Sequence, residues 1–225
     1  MKSNKLRKFI WEIKYVNRNP KNNSILELLD EGLNTNPEFI LEEGTELFRS
    51  RIISNRKDTN KEKGFYGYGL KDSFIPPQEK ATDMRANYRY IPYLYCSNHK
   101  YISIIEVRPR FGAEVSVATI KVQDKLTLLD FTMQKHVKRI SATKKNLLED
   151  LSELFSRPIV TSDDVLDYIP TQYIAEFAKN LGYDGISFKS SLYTEVLDNI
   201  AASGVDTNRF CPRMFLSISK CSENK

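Results

Sequence analysis

Apolar residues near the start of the chain recur every three or four positions, which predicts an amphipathic helix over residues 5–16. A second helix is expected to begin at Ser24, because Ser24 and Glu27 match the capping-box pattern. These two helices form a helical extension over residues 1–43. An extension of this size buries too little surface to fold alone, so it is expected to pack on the remainder of the chain.

Beyond the extension, short stretches that alternate between apolar and polar residues predict β-strands. Two further helices are expected, one over residues 143–155 and one that begins near Pro170 and ends at Gly182. Residues 97–106 are ambiguous: Ser97 could cap a helix, but the β-branched run leaves a strand possible. The predicted strands cover residues 45–53, 91–96, 114–122, 126–132 and 184–191.

Composition narrows the class of protein without naming a function. The chain has 225 residues, 40% of them hydrophobic, which suits one globular domain with a small extension. Its 34 basic and 29 acidic residues give a net charge of +5, which permits an anionic partner but does not demand nucleic acid. Three cysteines and two histidines, without metal-ligand spacing, argue against a structural zinc site.

Targeting signals are not visible in the sequence. Charges interrupt every apolar run in the first thirty residues, so no signal-peptide pattern is present. No run approaches the ~20 apolar residues that a membrane-spanning helix needs. A cytoplasmic protein without a membrane partner is expected.

The stretch "TELFRSRII" raises the first chemical question. As a strand it places Arg49 and Arg51 on the same face as Leu47. Two arginines on an apolar face are typical of the wall of an anion-binding cleft, although a sheet edge in water would also carry them. The adjoining aromatic, glycine-spaced loop over residues 65–77 is interpreted as a lid over a pocket or as a surface loop that its aromatic residues hold in place.

Glycine-rich phosphate loops and the GxSxG hydrolase motif are absent, which argues against a Rossmann enzyme, a P-loop enzyme and a serine hydrolase. What remains is an ordered set of polar residues in apolar contexts, found in "LFRSR", "RANYRYIPYLY", a glutamate eleven residues after the last tyrosine, "YIPTQYIAEFAKNLGYDGI" and "FKSS". This set resembles the RES family, named for arginine, glutamate and serine. The resemblance covers residues 44–191.

The resemblance implies an α+β fold with an ADP-ribosyltransferase-like core of short strands and flanking helices. It also implies a bacterial toxin that consumes NAD⁺ as a substrate and needs no cofactor. The expected activity is cleavage of the nicotinamide–ribose bond with water or phosphate as acceptor, and the alternative is transfer of ADP-ribose to a protein. The expected partner is a helix-turn-helix antitoxin that blocks the active site.

The family's functional residues fall on specific positions of this chain. The resemblance implies a catalytic glutamate, tyrosine and serine, and a set of NAD-binding side chains. The catalytic residues are Glu106, Tyr95 and Ser190. The NAD-binding residues are Arg49, Arg85, Arg51, Asn87 and Ser191. The sequence departs from the family in two places: the helical extension is additional, and residues 192–225 form an atypical tail that lacks the usual closing strand.

The chemistry of NAD⁺ agrees with this set of residue types. Guanidinium groups bind phosphate oxygens through paired hydrogen bonds, and a tyrosine ring can stack on nicotinamide. A carboxylate that grips the ribose favours the oxocarbenium-like transition state of glycosidic cleavage. A third interpretation, a non-catalytic module that binds a nucleotide or RNA, is disfavoured because all five polar positions are present and no basic stripe is seen.

Overall fold

The computed structural model describes residues 1–20, 27, 38–62, 64–132, 141–157, 165–190, 192 and 213–217. The second predicted helix of the extension lies almost wholly outside these ranges. The α-helices of the described residues are α1 (Asn4–Tyr15), α2 (Leu70–Ser73), α3 (Lys100–Glu106), α4 (Ala142–Ser156) and α5 (Ile169–Asn180). The strands are β1 (Glu38–Leu41), β2 (Glu46–Ile52), β3 (Asn60–Glu62), β4 (Phe65–Gly67), β5 (Leu94–Ser97), β6 (Val115–Lys121), β7 (Leu126–Asp130), β8 (Gly185–Lys189) and β9 (Arg213–Ser217).

Seven of these strands form one mixed sheet in the order β1-β7-β8-β9-β5-β2-β6. Neighbouring strands are antiparallel except β7 and β8, which run parallel with Leu129 opposite Ile186. Strands β3 and β4 make a separate two-stranded sheet. The arrangement confirms the predicted α+β class and its N-terminal helix.

The tail contributes to the interior of the sheet, which corrects the expectation that it lacks a closing strand. Strand β9 lies between β5 and β8, and Leu216 is the register partner of both Tyr95 and Ile186. Strand β1, from the predicted extension, pairs with β7 at the other end of the sheet. The sheet therefore includes strands from all three of the segments that the sequence suggested.

Two hydrophobic clusters lie on the two sides of this sheet. We call the side packed against α1, α3, α4 and α5 the helical face; it carries Phe131, Ile186 and Phe188. The other side, the opposite face, carries Leu47, Leu94, Cys96 and Leu128. Because side chains alternate along a strand, each site residue on a strand belongs to one face or the other.

Helix α1 belongs to the larger core. Its buried side chains Leu6, Phe9 and Ile13 are at most 1% exposed and pack with α4 and α5. The Asp150 carboxylate accepts hydrogen bonds from the backbone N–H groups of Lys2, at 2.8 Å, and Ser3, at 2.6 Å. These bonds fix the chain just before the first turn of the helix, where backbone donors have no partner within the helix.

The ambiguous segment after β5 is helical. Helix α3 has His99 as its N-cap residue, whereas Ser97, the expected cap, is the last residue of β5. The Ser97 hydroxyl accepts a hydrogen bond from the His99 N–H at 3.1 Å, so it closes the turn that precedes the helix. The helix stands although β-branched residues lower helix propensity, because Ile102 is buried in the core of the helical face.

Helix α5 begins and ends as the sequence predicts. Pro170 lies in its first turn, where a missing backbone N–H costs nothing. Gly182 has a φ of +89° just beyond the C-terminus, a conformation that glycine adopts without strain. Within the described residues, none of the helices has the length and apolar character that crossing a membrane requires.

Candidate active site

The candidate site is built around a carboxylate held by a hydroxyl from a distant part of the chain. Glu106 is the last residue of α3, and Ser190 follows β8 directly. The Ser190 hydroxyl donates a hydrogen bond to Oε1 of Glu106 and accepts one from the Leu192 N–H at 3.2 Å. Ser190 is buried and Glu106 is half-buried, and the hydrogen bond orients the Glu106 carboxylate.

Arg85 lies near this carboxylate and is held by a helix terminus. Its guanidinium donates to the carbonyl oxygens of Leu154, at 3.0 Å, and Arg157, at 2.5 Å, at the C-terminal end of α4. The negative end of a helix dipole favours a cation there. Burial lowers the pKa of Arg85, while the neighbouring Tyr168 and Glu106 raise it. A guanidinium has five N–H donors, so further donors remain for an anionic ligand.

Tyr95 is hydrogen-bonded to the two residues that follow Arg85 in the chain. Its hydroxyl donates to Oδ1 of Asn87 at 2.8 Å and accepts from the Ala86 N–H at 3.2 Å. Burial raises the pKa of this hydroxyl, although the Ala86 N–H and the Arg85 charge act against the shift. The phenol therefore stays neutral at physiological pH, and the half-buried residue keeps part of its surface exposed.

Asn87, expected to bind NAD⁺, is 2% exposed and bonded within the protein. Its Nδ2 donates to the carbonyl oxygens of Thr82, at 2.9 Å, and Tyr88, at 3.0 Å, and its Oδ1 accepts from Tyr95. Both donor protons are thus used. The Asn87 amide is thus a hydrogen-bond partner that orients the Tyr95 phenol. Ser191, another expected NAD-binding residue, lies outside the described residues.

Arg49 and Arg51 do not join the Glu106 cluster. They lie on the opposite face, as does Leu47, whereas Tyr95 packs against the core of the helical face. Arg49 donates to the Phe74 carbonyl and Arg51 to the Asp72 carbonyl. Burial lowers the pKa of Arg49. Both arginines thus bind backbone carbonyls on the opposite face, and β2 is an interior strand between β5 and β6 rather than a sheet edge.

The aromatic loop that contains these carbonyls is held on the opposite face. Phe74 and Ile75 pack against its core, and the guanidinium carbon of Arg51 lies 4.6 Å from the centroid of the Tyr68 ring. The backbone of Tyr68 is fixed as well, since its N–H donates to the Ser116 hydroxyl at 3.0 Å. The geometry favours the surface-loop interpretation over that of a lid on the Glu106 cluster.

Three residues at the start of α5 lie beside the site but were not predicted from the sequence. Tyr168 lies close enough to Arg85 and Tyr95 to influence the pKa of both. Thr171 and Gln172 are buried and bond to the backbone carbonyls of Met84, Arg85 and Asn87, and Gln172 also reaches the Asp83 carboxylate. A signal was available: Thr171 precedes Ile174 by three positions, so a polar side chain occupies the buried stripe of the helix.

The site thus combines a hydroxyl-bound carboxylate, a half-buried tyrosine and an arginine, on an α+β domain. Among the described residues, no group of three or more histidine, cysteine, aspartate or glutamate side chains could hold a metal ion. This is a combination suited to an anionic substrate with a ribose.

The RES domain family model matches residues 62–210, more than half of the chain. The chain therefore belongs to the RES domain family, as its motifs predicted. The matched span contains Arg85, Tyr95, Glu106 and Ser190 and begins after Arg49 and Arg51. A comparison with curated proteins gave no match.

Among solved structures, the chain is similar to one from the crystal structure of the M. tuberculosis MbcT–MbcA toxin–antitoxin complex. The identity is 13% and the TM-score 0.45, over 88% of this chain and 84% of that chain.

Proposed function

We propose that this protein is a RES-type toxin that cleaves the nicotinamide–ribose bond of NAD⁺, with water or phosphate as acceptor. The observation that carries the proposal is the Ser190–Glu106 hydrogen bond, with Arg85 near enough for the Glu106 carboxylate to raise its pKa. Membership of the RES family supports it, since the motifs that place these residues are those of the family.

Each residue has a chemical role in the proposed reaction. The Glu106 carboxylate stabilises the positive charge that develops on the ribosyl carbon as nicotinamide leaves. Ser190 fixes that carboxylate. Arg85 donates its remaining N–H groups to the pyrophosphate, and the exposed part of Tyr95 forms an apolar wall for the nicotinamide ring. The electron pair of the broken bond stays with neutral nicotinamide, and the acceptor oxygen bonds to the ribosyl carbon.

The partners follow from the same assignment. The proposal makes NAD⁺ a substrate that is consumed, in the cytoplasm, and makes an antitoxin of the helix-turn-helix class the expected protein partner. Direct binding of nucleic acid is not part of it. Transfer of ADP-ribose to a protein shares the cleavage step, so the products rather than the site decide between the two activities.

The test is to incubate the purified protein with NAD⁺, with and without inorganic phosphate, and to identify the products by mass spectrometry. Water as acceptor gives nicotinamide and ADP-ribose, and phosphate as acceptor gives ADP-ribose phosphorylated at the ribosyl carbon. A transferase would add the mass of ADP-ribose to a protein. Intact NAD⁺ under all conditions, without measurable binding, would reject the enzyme interpretation.

Arg85→Ala should weaken NAD⁺ binding by about 1.5–3 kcal/mol, because charged hydrogen bonds to the phosphates are lost. Titration calorimetry measures the affinity. Arg89→Ala is the matched control, since Arg89 is exposed and its guanidinium lies over the Tyr90 ring, with 5.1 Å from its carbon to the ring centroid. Equal affinities of the two variants would remove Arg85 from the binding site.

The same titration separates two roles for Arg49. The sequence suggested an anion contact, in which case Arg49→Ala would weaken NAD⁺ binding as much as Arg85→Ala does. We propose instead that Arg49 anchors the loop at Phe74 on the opposite face. The Arg49→Ala variant should then bind NAD⁺ almost as tightly as the parent and be less stable to heat.

A further inference from the structure

We infer that Thr171 and Gln172, at the start of α5, are positioning residues that hold Arg85 and Asn87 in place for the reaction. The effect of these residues on the reaction rests on the proposed function. Their effect on the position of the loop rests on a separate set of hydrogen bonds. Neither side chain belongs to the residues that the family motif marks as functional.

Arg85 is the member of the site that neither belongs to nor directly adjoins a helix or strand. Glu106 ends a helix, Tyr95 lies on a strand and Ser190 follows a strand. Residues 81–90, by contrast, form an irregular loop. Within the loop, the Met84 N–H donates to the Asn87 carbonyl at 3.0 Å, which closes one turn but does not attach the loop to the core.

The Tyr95 hydroxyl on β5 attaches the loop at Ala86 and Asn87, and helix α5 attaches it through further bonds to its backbone. Oγ1 of Thr171 lies within hydrogen-bonding distance of the Arg85 carbonyl and 2.9 Å from the Tyr168 carbonyl. Nε2 of Gln172 lies 2.9 Å from the Asn87 carbonyl, 3.0 Å from the Met84 carbonyl and 3.4 Å from a carboxylate oxygen of Asp83. These polar groups thus reach the loop backbone on both sides of Ala86.

Because these hydrogen bonds are buried, their loss is expected to be costly. Thr171 is 2% exposed and Gln172 is 1% exposed, so water cannot replace the side-chain donors if they are removed. The Arg85 and Met84 carbonyls would lose these partners and the Asn87 carbonyl would keep only the Met84 N–H, so the loop would shift to reach water. Such a shift moves the Arg85 guanidinium. It also moves the Asn87 amide that accepts from Tyr95. A misplacement of about 1 Å at a catalytic group can cost on the order of a hundredfold in rate.

The experiment compares three variants of the full chain. Thr171→Val keeps the shape of the side chain and removes its hydroxyl, Thr171→Ser keeps the hydroxyl and removes a methyl group, and Gln172→Met keeps the length and removes the amide. Thr45→Val is the matched control, because the Thr45 hydroxyl donates to the Glu42 carbonyl at 2.6 Å, in a different part of the fold. Thermal melting verifies that each variant folds.

The first measurement is hydrogen exchange of a peptide that covers residues 81–90. We expect faster exchange in Thr171→Val and Gln172→Met than in the parent, and unchanged exchange in Thr45→Val. Thr171→Ser should protect the loop better than Thr171→Val, since the hydroxyl is what matters. Parent-like exchange in both Thr171→Val and Gln172→Met would overturn the inference. So would better protection by valine than by serine, because that order indicates packing alone.

The second measurement is kcat/KM for NAD⁺, which Thr171→Val and Gln172→Met should lower by about tenfold to a hundredfold. Faster exchange combined with parent-like kcat/KM would show that the loop position does not govern the reaction, which would also overturn the inference. If the parent protein neither binds nor cleaves NAD⁺, the proposed function fails. The exchange data would still decide whether α5 holds the Arg85 loop.

Discussion

Glu106→Gln should lower the rate of NAD⁺ cleavage by about 10²–10³, because an electrostatic stabiliser of the developing ribosyl cation is lost. The amide keeps the shape of the side chain and can still accept the Ser190 hydrogen bond. NAD⁺ affinity should stay within a few-fold of the parent value, since the proposed phosphate contacts lie on Arg85. A loss confined to kcat identifies an interaction made in the transition state.

Turnover and affinity should be measured on the same preparation, with thermal melting as the check on folding. Glu114→Gln is the control for loss of a glutamate charge, because Glu114 is exposed and pairs with Arg56 away from the site. Cleavage at the parent rate by Glu106→Gln would exclude Glu106 from catalysis. A joint loss of affinity and rate would instead make it a substrate-binding residue.

Phe9→Ala should lower the free energy of unfolding by about 3–5 kcal/mol, the usual cost of removing a buried phenylalanine. Phe9 is 1% exposed, and its ring meets that of Tyr173 edge to face with 5.5 Å between centroids. For a chain of this length, the melting temperature should fall on the order of 10 °C. Urea denaturation followed by circular dichroism gives the free energy.

Trp11→Ala is the matched control on the same helix. Trp11 is 59% exposed, so its removal should change stability by no more than about 0.5 kcal/mol. If Phe9→Ala were equally mild, helix α1 would be dispensable to the stability of the domain, against the expectation that the extension packs on the remainder of the chain. The expected difference would instead make α1 a structural part of the domain that carries the site.

Several features of this protein follow from local sequence alone. The spacing of apolar residues in α1, α4 and α5 and the alternation in β6 and β7 predicted those elements, because each pattern depends on the geometry of a single helix or strand. The order of motifs identified the RES family. Capping and helix-ending residues such as Gly182 also act locally.

Other features depend on which strands pair, and the local pattern carries no information about that. Alternation placed Arg49 and Leu47 on one side of β2, but it could not say that this side faces away from Tyr95. Strand β9 lies inside the sheet because it pairs with β5 on one side and with β8 on the other, and both strands are distant from it in sequence.

The buried polar contacts show the same limit. Thr171 and Asn87 act through hydrogen bonds to backbone groups that are remote in sequence or that a folded loop brings close. The partner of such a side chain, whether a ligand, water or a carbonyl, is decided only by the folded core. Once the core excludes water, an unpaired polar group is costly, so each buried group needs a partner. The sequence determined which residue types the site contains, and the tertiary structure decided which of them can reach a substrate.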